Sequence, residues 1–270
     1  MSLYQRGIPQ VIDVSADGTA LGKSFNVTRL RYHYERHGVP TTVVRIESRG
    51  IMQQRLRETD LFIPTEEFAQ ARRRVGGLAG VLQPAFDKIA DAAAKEEAVL
   101  FDWPGGQAKN RLDVLLATGF DKGLAGLNVR GASVTVSTNV VARMREAAEN
   151  LVETARVAPG LQRVLLLNER LGDFAFVPGS TAHKAHEEML AAPKQAVIQI
   201  PEIGGDAWPL CEANGLSLPR VVKAQPSELA QLLGVSPFIA QVIINEVATW
   251  WVATERELGR AFPFPKPTKK

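Results

Sequence analysis

The segment Asp17-Gly18-Thr19-Ala20-Leu21-Gly22-Lys23-Ser24 sets a glycine, an amine and a hydroxyl side by side before a run of helical character. That order suits a phosphate. Backbone N–H groups converge on the oxyanion, glycine permits the close approach, and the N-terminus of the following helix adds positive field. In such a loop Lys23 neutralises the terminal phosphate oxygens and the Ser24 hydroxyl holds Mg2+. The full pattern G-x-x-x-x-G-K-[ST] has a glycine where Asp17 stands, and Gly18 comes one place late. Asp17 sets a negative charge near the phosphates, which weakens binding unless its side chain turns away or caps a backbone N–H. Three further acids attract attention. Asp102 closes an apolar run, Glu47 follows another, and Asp13 interrupts a β-branched one. A buried Asp13 requires a partner, either an arginine or the metal region. Glu47 either activates water or binds metal across a crevice, or makes a surface salt bridge. His183 and His186 stand three apart on an expected helix, as half a metal site or as a surface pair.

The elements that position these groups follow from hydrophobic patterning. Strands are expected at 11–15, 41–46, 98–102, 133–138, 163–168 and 196–201. Helices are expected at 24–37, at 65–97 with a break near Gly76-Gly77-Gly80, and at 111–116, 140–157 and 181–192. Residues 47–64 read as polar and irregular. Strands that are continuous apolar runs, alternating with helices, imply a three-layer α/β fold around a mostly parallel sheet. A boundary is expected near Gln225-Pro226, with the strand-bearing domain at 1–224. Residues 225–270 read as a helical C-terminal extension with a basic, proline-broken tail. Within it, Ser227–Ser236 echoes the start of a helix-turn-helix, but Phe238–Asn245 is too apolar to read bases, so structural packing is the expectation. Trp250 and Trp251 are expected in core or dimer packing.

Composition sets the limits. In 270 residues, 45% are hydrophobic and 23% charged, enough for a large core, and the net charge of +3 does not demand nucleic acid. Arg29, Arg31, Arg36, Arg49, Arg55, Arg57, Arg72, Arg73 and Arg74 crowd the first third, as a solvated face or as an anion-binding surface. A single cysteine, Cys211, excludes an intramolecular disulfide and points to a reducing, cytoplasmic setting; no cysteine cluster suggests structural zinc. No apolar run approaches the ~18 residues of a membrane span, and the first ten residues lack a signal-peptide pattern.

Taken in order, these motifs resemble the ParA/MinD-type ATPases, the deviant-Walker branch of the P-loop proteins, over about residues 8–224. Gly22-Lys23-Ser24 match the phosphate loop, and Asp102-Trp103-Pro104-Gly105 resembles the third-strand aspartate and its switch segment. Val164–Arg170 is similar to the strand whose terminal asparagine, here Asn168, reads the adenine edge. Ile198–Glu202 and Gly215–Ala224 resemble the last strand and the helix that follows. The resemblance implies ATP and Mg2+ as cofactors and a homodimer as the active assembly. Lys23 and Asp102 are the expected catalytic residues, and Ser24 and Asp102 the metal ligands; Asp102 is otherwise a turn former. Gly18, Thr19, Ala20, Leu21, Gly22, Lys23, Ser24, Phe25, Asn168 and Arg170 are the expected nucleotide contacts, with Asn168 otherwise a strand-end cap. Two departures stand out. The family's signature lysine belongs where Gly18 stands, and the acidic pair that often ends the second strand is reduced to Glu47. The plasmid-stability and conjugation-associated members are the nearest pattern. The implied function is an ATPase switch controlling assembly on DNA, through the arginine-rich segment, or on a partner protein. Its alternative is a non-hydrolysing regulatory or scaffold protein, and a small-molecule kinase or ligase is disfavoured because no substrate lid is legible.

Overall fold

The computed structural model describes residues 2–16, 18, 22–48, 60–73, 76–205 and 207–264, leaving aside the side chains of residues 69, 72 and 73. Among the described residues there are seven strands: β1 (Val11–Ser15), β2 (Thr41–Glu47), β3 (Leu61–Pro64), β4 (Ala98–Asp102), β5 (Gly131–Ser137), β6 (Gln162–Asn168) and β7 (Ala196–Ile200). They form one sheet in the order β3-β2-β4-β1-β5-β6-β7, and every pairing is parallel. The α-helices are α1 (Lys23–Arg36), α2 (Gly77–Val81), α3 (Gln83–Lys95), α4 (Ala108–Thr118), α5 (Phe120–Gly126), α6 (Val141–Val157), α7 (Thr181–Ala191), α8 (Ala207–Ala213), α9 (Leu218–Lys223), α10 (Pro226–Leu233) and α11 (Pro237–Ala261).

Alternation along each strand sends apolar side chains to both faces of the sheet. Ile12, Val14, Val43, Leu100, Val134 and Leu166 point to a layer that also contains Val27 and Leu30 of α1 and Ile243, Val247 and Trp250 of α11. Val11, Val44, Ile46, Val99 and Phe101 point to the opposite layer, against Ile89 of α3 and Val114 and Leu115 of α4. Both faces are therefore covered, which is why the strands read as continuous apolar runs. Asp13 points into the second layer. Arg111 of α4, fully buried, meets it there: Nε donates to Asp13 Oδ2 at 2.6 Å, while Nη1 donates to Asn150 and Thr154 of α6. The partner is an arginine, and the pair ties two helices to the central strand.

Three expectations are revised. Residues 47–64 are not irregular throughout, because β3 pairs with β2 through Val44↔Leu61 to Glu47↔Pro64. Four residues ending in proline carry too little periodicity to announce an edge strand. The segment after β3 is a 3-10 helix, Thr65–Arg73, where an α-helix was expected. The helix expected at 111–116 extends over Ala108–Thr118 and continues through Gly119, in the left-handed region at φ 53°, into α5.

The C-terminal helices complete the first layer. Ser236 caps α11, its hydroxyl accepting from Ile239 N at 3.3 Å, with Pro237 at the first helical position. Trp250 Nε1 donates to the Pro201 carbonyl at 2.7 Å, so this tryptophan is a core residue. No single described helix is long and apolar enough to cross a membrane.

Candidate functional site

The carboxyl ends of β1 and β4 lie side by side, and the helices that follow them, α1 and α4, leave to opposite faces of the sheet. Parallel sheets open a ligand crevice at such a divergence. The connection from β1 to α1 is the sequence's phosphate loop. Gly22 caps α1 in the left-handed region at φ 73°, a conformation that glycine adopts without cost. A side chain there would also displace Asn168, since a Cβ would lie 2.6 Å from its Nδ2. Lys23 is buried, and its Nζ donates to the Gly18 carbonyl at 3.1 Å, so the amine curls back over its own loop. Asp17, Thr19, Ala20 and Leu21 lie outside the described residues.

Asp102 ends β4 and faces the first turn of α1. Burial pushes its carboxyl pKa up, opposed by the Arg45 charge, a hydrogen bond from the Ser24 hydroxyl and the Lys23 charge; Glu47 adds to the rise. Ser24 thus bonds Asp102, and the charges of Lys23 and Glu47 lie near enough to act on it. The structure also adds a residue that sequence reasoning missed. Arg45, the register partner of Asp102 on β2, donates from Nη1 to Asp102 Oδ2 at 3.0 Å. Its signal was a lone charge inside the apolar run Thr41–Glu47. Arg45 also approaches Asp60, which accepts from Arg31 Nη1 at 2.7 Å, so a chain of ion pairs runs from α1 to the crevice.

Beside the loop opens a cleft of about 180 Å³, lined by Gly22, Phe25, Asn168, Arg170, Trp208 and Trp250 among others. Phe25 sits 5.4 Å from Trp208 and 5.3 Å from Trp250, ring centre to ring centre. Asn168 is buried at the end of β6, and its Oδ1 accepts from Arg170 N at 3.3 Å. Phe25, Asn168 and Arg170 therefore meet in one cleft, with Trp208 as the wall the sequence did not announce. Ser15, Trp103 and Thr138, which follow or end β1, β4 and β5, bury side-chain polar atoms that have no hydrogen-bond partner among the described residues. Buried polar groups of that kind ask for a ligand or water.

The chain has a three-layer α/β fold: an all-parallel sheet with β1 central, its loop opening α1, and a helical extension at the C-terminal end. No protein-family model matches the sequence, and no curated protein matches it. Among solved structures it is similar to the MinD cell division protein of Aquifex aeolicus, at 12% identity over 97% of this chain and 100% of that one, with a TM-score of 0.44. It is similar to FlhF complexed with GTP and Mg2+, at 14% identity over 72% and 66% of the two chains, TM-score 0.42. A nucleotide-binding protein in complex with ADP from Archaeoglobus fulgidus is similar at 16% identity over 73% and 84%, TM-score 0.36. At such distances the functional argument rests on the residues of this chain.

The other candidates found structural employment. Arg29 is buried, bonded to Thr254 and Glu255 and set 4.0 Å over the Trp251 ring; Arg31 is buried against Glu35 and Asp60. Neither forms part of a solvated face or an anion-binding surface. Arg49, Arg55, Arg57 and Arg74 lie outside the described residues. His186 packs against Phe174 and Phe176, and His183 Nδ1 accepts from Gly179 N at 3.4 Å. His33, His37 and Glu255 bring three ligand-type atoms within 4.8 Å of one another. Each nitrogen of His33 is already engaged, Nδ1 with Glu255 and Nε2 with the Phe262 carbonyl at 3.0 Å, so the cluster is a clasp between α1 and α11.

Proposed function

We propose that this chain binds a nucleoside triphosphate, ATP, together with Mg2+, and acts as a ParA-like switch whose bound state governs association with a second copy or a partner protein. The observation that carries this is the double role of Gly22. It opens α1 behind Lys23 and Ser24, and it also lines the aromatic cleft that holds Phe25 and Asn168. A phosphate site thus adjoins a base-sized apolar cleft, as a nucleotide requires. Lys23 would neutralise phosphate charge. Phe25 and Trp208, in contact with each other, would offer ring surface to a base, Asn168 would bond its edge, and Arg170 would border it.

An all-oxygen donor set, the Ser24 hydroxyl and the Asp102 carboxylate, fits the demands of Mg2+. Bound there, the ion would screen the charge of the phosphate oxygens. Lys23 and Asp102 are then the residues on which slow phosphoanhydride hydrolysis would depend.

The second reading is a nucleotide-binding regulatory or scaffold protein that does not hydrolyse. One observation favours it: the Arg45 guanidinium already occupies Asp102 Oδ2, which reduces the charge available to a metal. Calorimetric titration with ATP and with GTP in Mg2+ tests both readings. Wild type is expected to bind ATP, and Lys23→Ala to weaken that binding at least tenfold. Absence of heat with either nucleotide, and no effect of Lys23→Ala on thermal unfolding with nucleotide, would sink the nucleotide reading. Phosphate release by wild type that disappears in Lys23→Ala would decide for the ATPase over the scaffold.

A further inference from the structure

We infer that Arg143 is a phosphate-contacting residue that makes this site prefer a nucleoside triphosphate over a diphosphate, an inference that rests on the nucleotide reading above. Arg143 lies in the first turn of α6, far in sequence from the phosphate loop. Its guanidinium nevertheless packs on Gly18: a Cβ built at Gly18 would lie 2.7 Å from Cζ, 2.8 Å from Nε and 3.0 Å from Nη1 of Arg143. A side chain at Gly18 would displace the guanidinium, and the glycine leaves the two in contact.

The position along the loop indicates which end of a ligand Arg143 would meet. Lys23 Nζ bonds the Gly18 carbonyl, so the amine expected at the β and γ oxygens and the Arg143 guanidinium flank the same residue. The aromatic cleft lies beyond Gly22, at the other end of the loop. Arg143 therefore belongs to the terminal-phosphate end, with the base at the opposite one. Two cations converging on one loop residue make a place for a polyanion.

The arginine is both anchored and available. Ser137 Oγ, at the end of β5, donates to the Arg143 carbonyl at 3.1 Å and fixes the first turn of α6 beside the crevice. Its side chain is about one-third exposed, and the guanidinium bonds Glu146 through Nη1, at 2.9 and 2.6 Å to the two carboxylate oxygens. Guanidinium carries five N–H donors, so Nε and Nη2 remain to reach a phosphate oxygen. Glu146 holds the side chain in place while the site is empty of phosphate and competes with a ligand for it.

The test is calorimetric titration of the full chain with ATP and with ADP, each in Mg2+. Wild type is compared with Arg143→Ala, Arg143→Lys and Glu146→Gln, and thermal unfolding is recorded for each. Arg143→Ala is expected to lower ATP affinity about tenfold and leave ADP affinity within about twofold. Arg143→Lys should retain part of the preference, because a point charge replaces a planar fork. Glu146→Gln should tighten ATP severalfold by releasing the guanidinium, and it tests the idea even if Arg143→Ala does not fold. An ATP-to-ADP ratio unchanged in Arg143→Ala and in Glu146→Gln would overturn the assignment while leaving the nucleotide reading intact. Binding of neither nucleotide by wild type would overturn both.

Discussion

Gly22 is under two constraints at once. Its φ of 73° falls where a side chain costs about 1–2 kcal/mol, and the space a Cβ needs is taken by Asn168. Gly22→Ala is therefore expected to destabilise the fold by about 1–2 kcal/mol, read as a lower thermal midpoint. The same substitution pushes on Asn168, so it should weaken nucleotide binding by more than the stability loss accounts for. Normal affinity in a destabilised Gly22→Ala protein would separate the loop from the cleft and count against a shared site. Asp102 shows how far a motif can be read alone. Its place at a strand end was visible in sequence, while its engagement by Arg45 depends on β2 and β4 being neighbours, although β3 and two α-helices separate them along the chain.

At the scale of elements, α1 and α11 are joined by charge as well as by packing. Burial pushes the Glu255 carboxyl up, but hydrogen bonding and charge from His33, then Arg29, outweigh it and hold the pKa down at about 2, against an ordinary 4.5. A carboxylate with a lowered folded-state pKa stabilises the protein above its unfolded value, and that contribution disappears as the pH falls from about 4.5 through 2. The contribution is about 2 kcal/mol once partial solvation is allowed for. Glu255→Gln should lower the unfolding free energy at neutral pH by that amount and flatten its pH dependence between about 5 and 2. An unchanged slope in denaturant titrations across that range would show that the clasp contributes nothing. His37, just past the end of α1, is also near this carboxylate, and Arg36 is near Arg29 and His37; both are retained in the variant.

For the whole molecule, the question is whether residues 225–270 are separable. We propose that 1–224 carry the phosphate loop and most of the cleft, and that the extension completes their core and adds Trp250 to the cleft wall. Leu229, Ile243, Val247 and Trp250 share one apolar layer with Ile12, Leu30 and Leu100. A chain ending at Ala224 would expose that layer, including the faces of α1 and β7, and is expected to lose cooperative unfolding. A sharp thermal transition in the truncated chain, with ATP binding intact, would instead make 1–224 a domain in its own right.

Sequence alone determined the layers and the back half of the phosphate loop. Continuous apolar strands can only be buried on both faces, and Gly22-Lys23-Ser24 between a strand and a helix is local chemistry, fixed by neighbours along the chain. It also announced that Asp13 needs a partner, because an unpaired buried charge is too costly to keep. It did not reveal β3, whose four residues give no usable period, or α5, which Gly119 divides from α4. Only the tertiary structure decided which distant side chains share the crevice. Arg45 reaches Asp102, Arg143 reaches Gly18, and Trp208 faces Phe25 across loops of no characteristic length. It also removed Arg29 and Arg31 from the surface, since α1 is enclosed between the sheet and α11 and its polar residues must find partners there. Local pattern specifies what a segment becomes; the order in which parallel strands are laid side by side specifies what it meets.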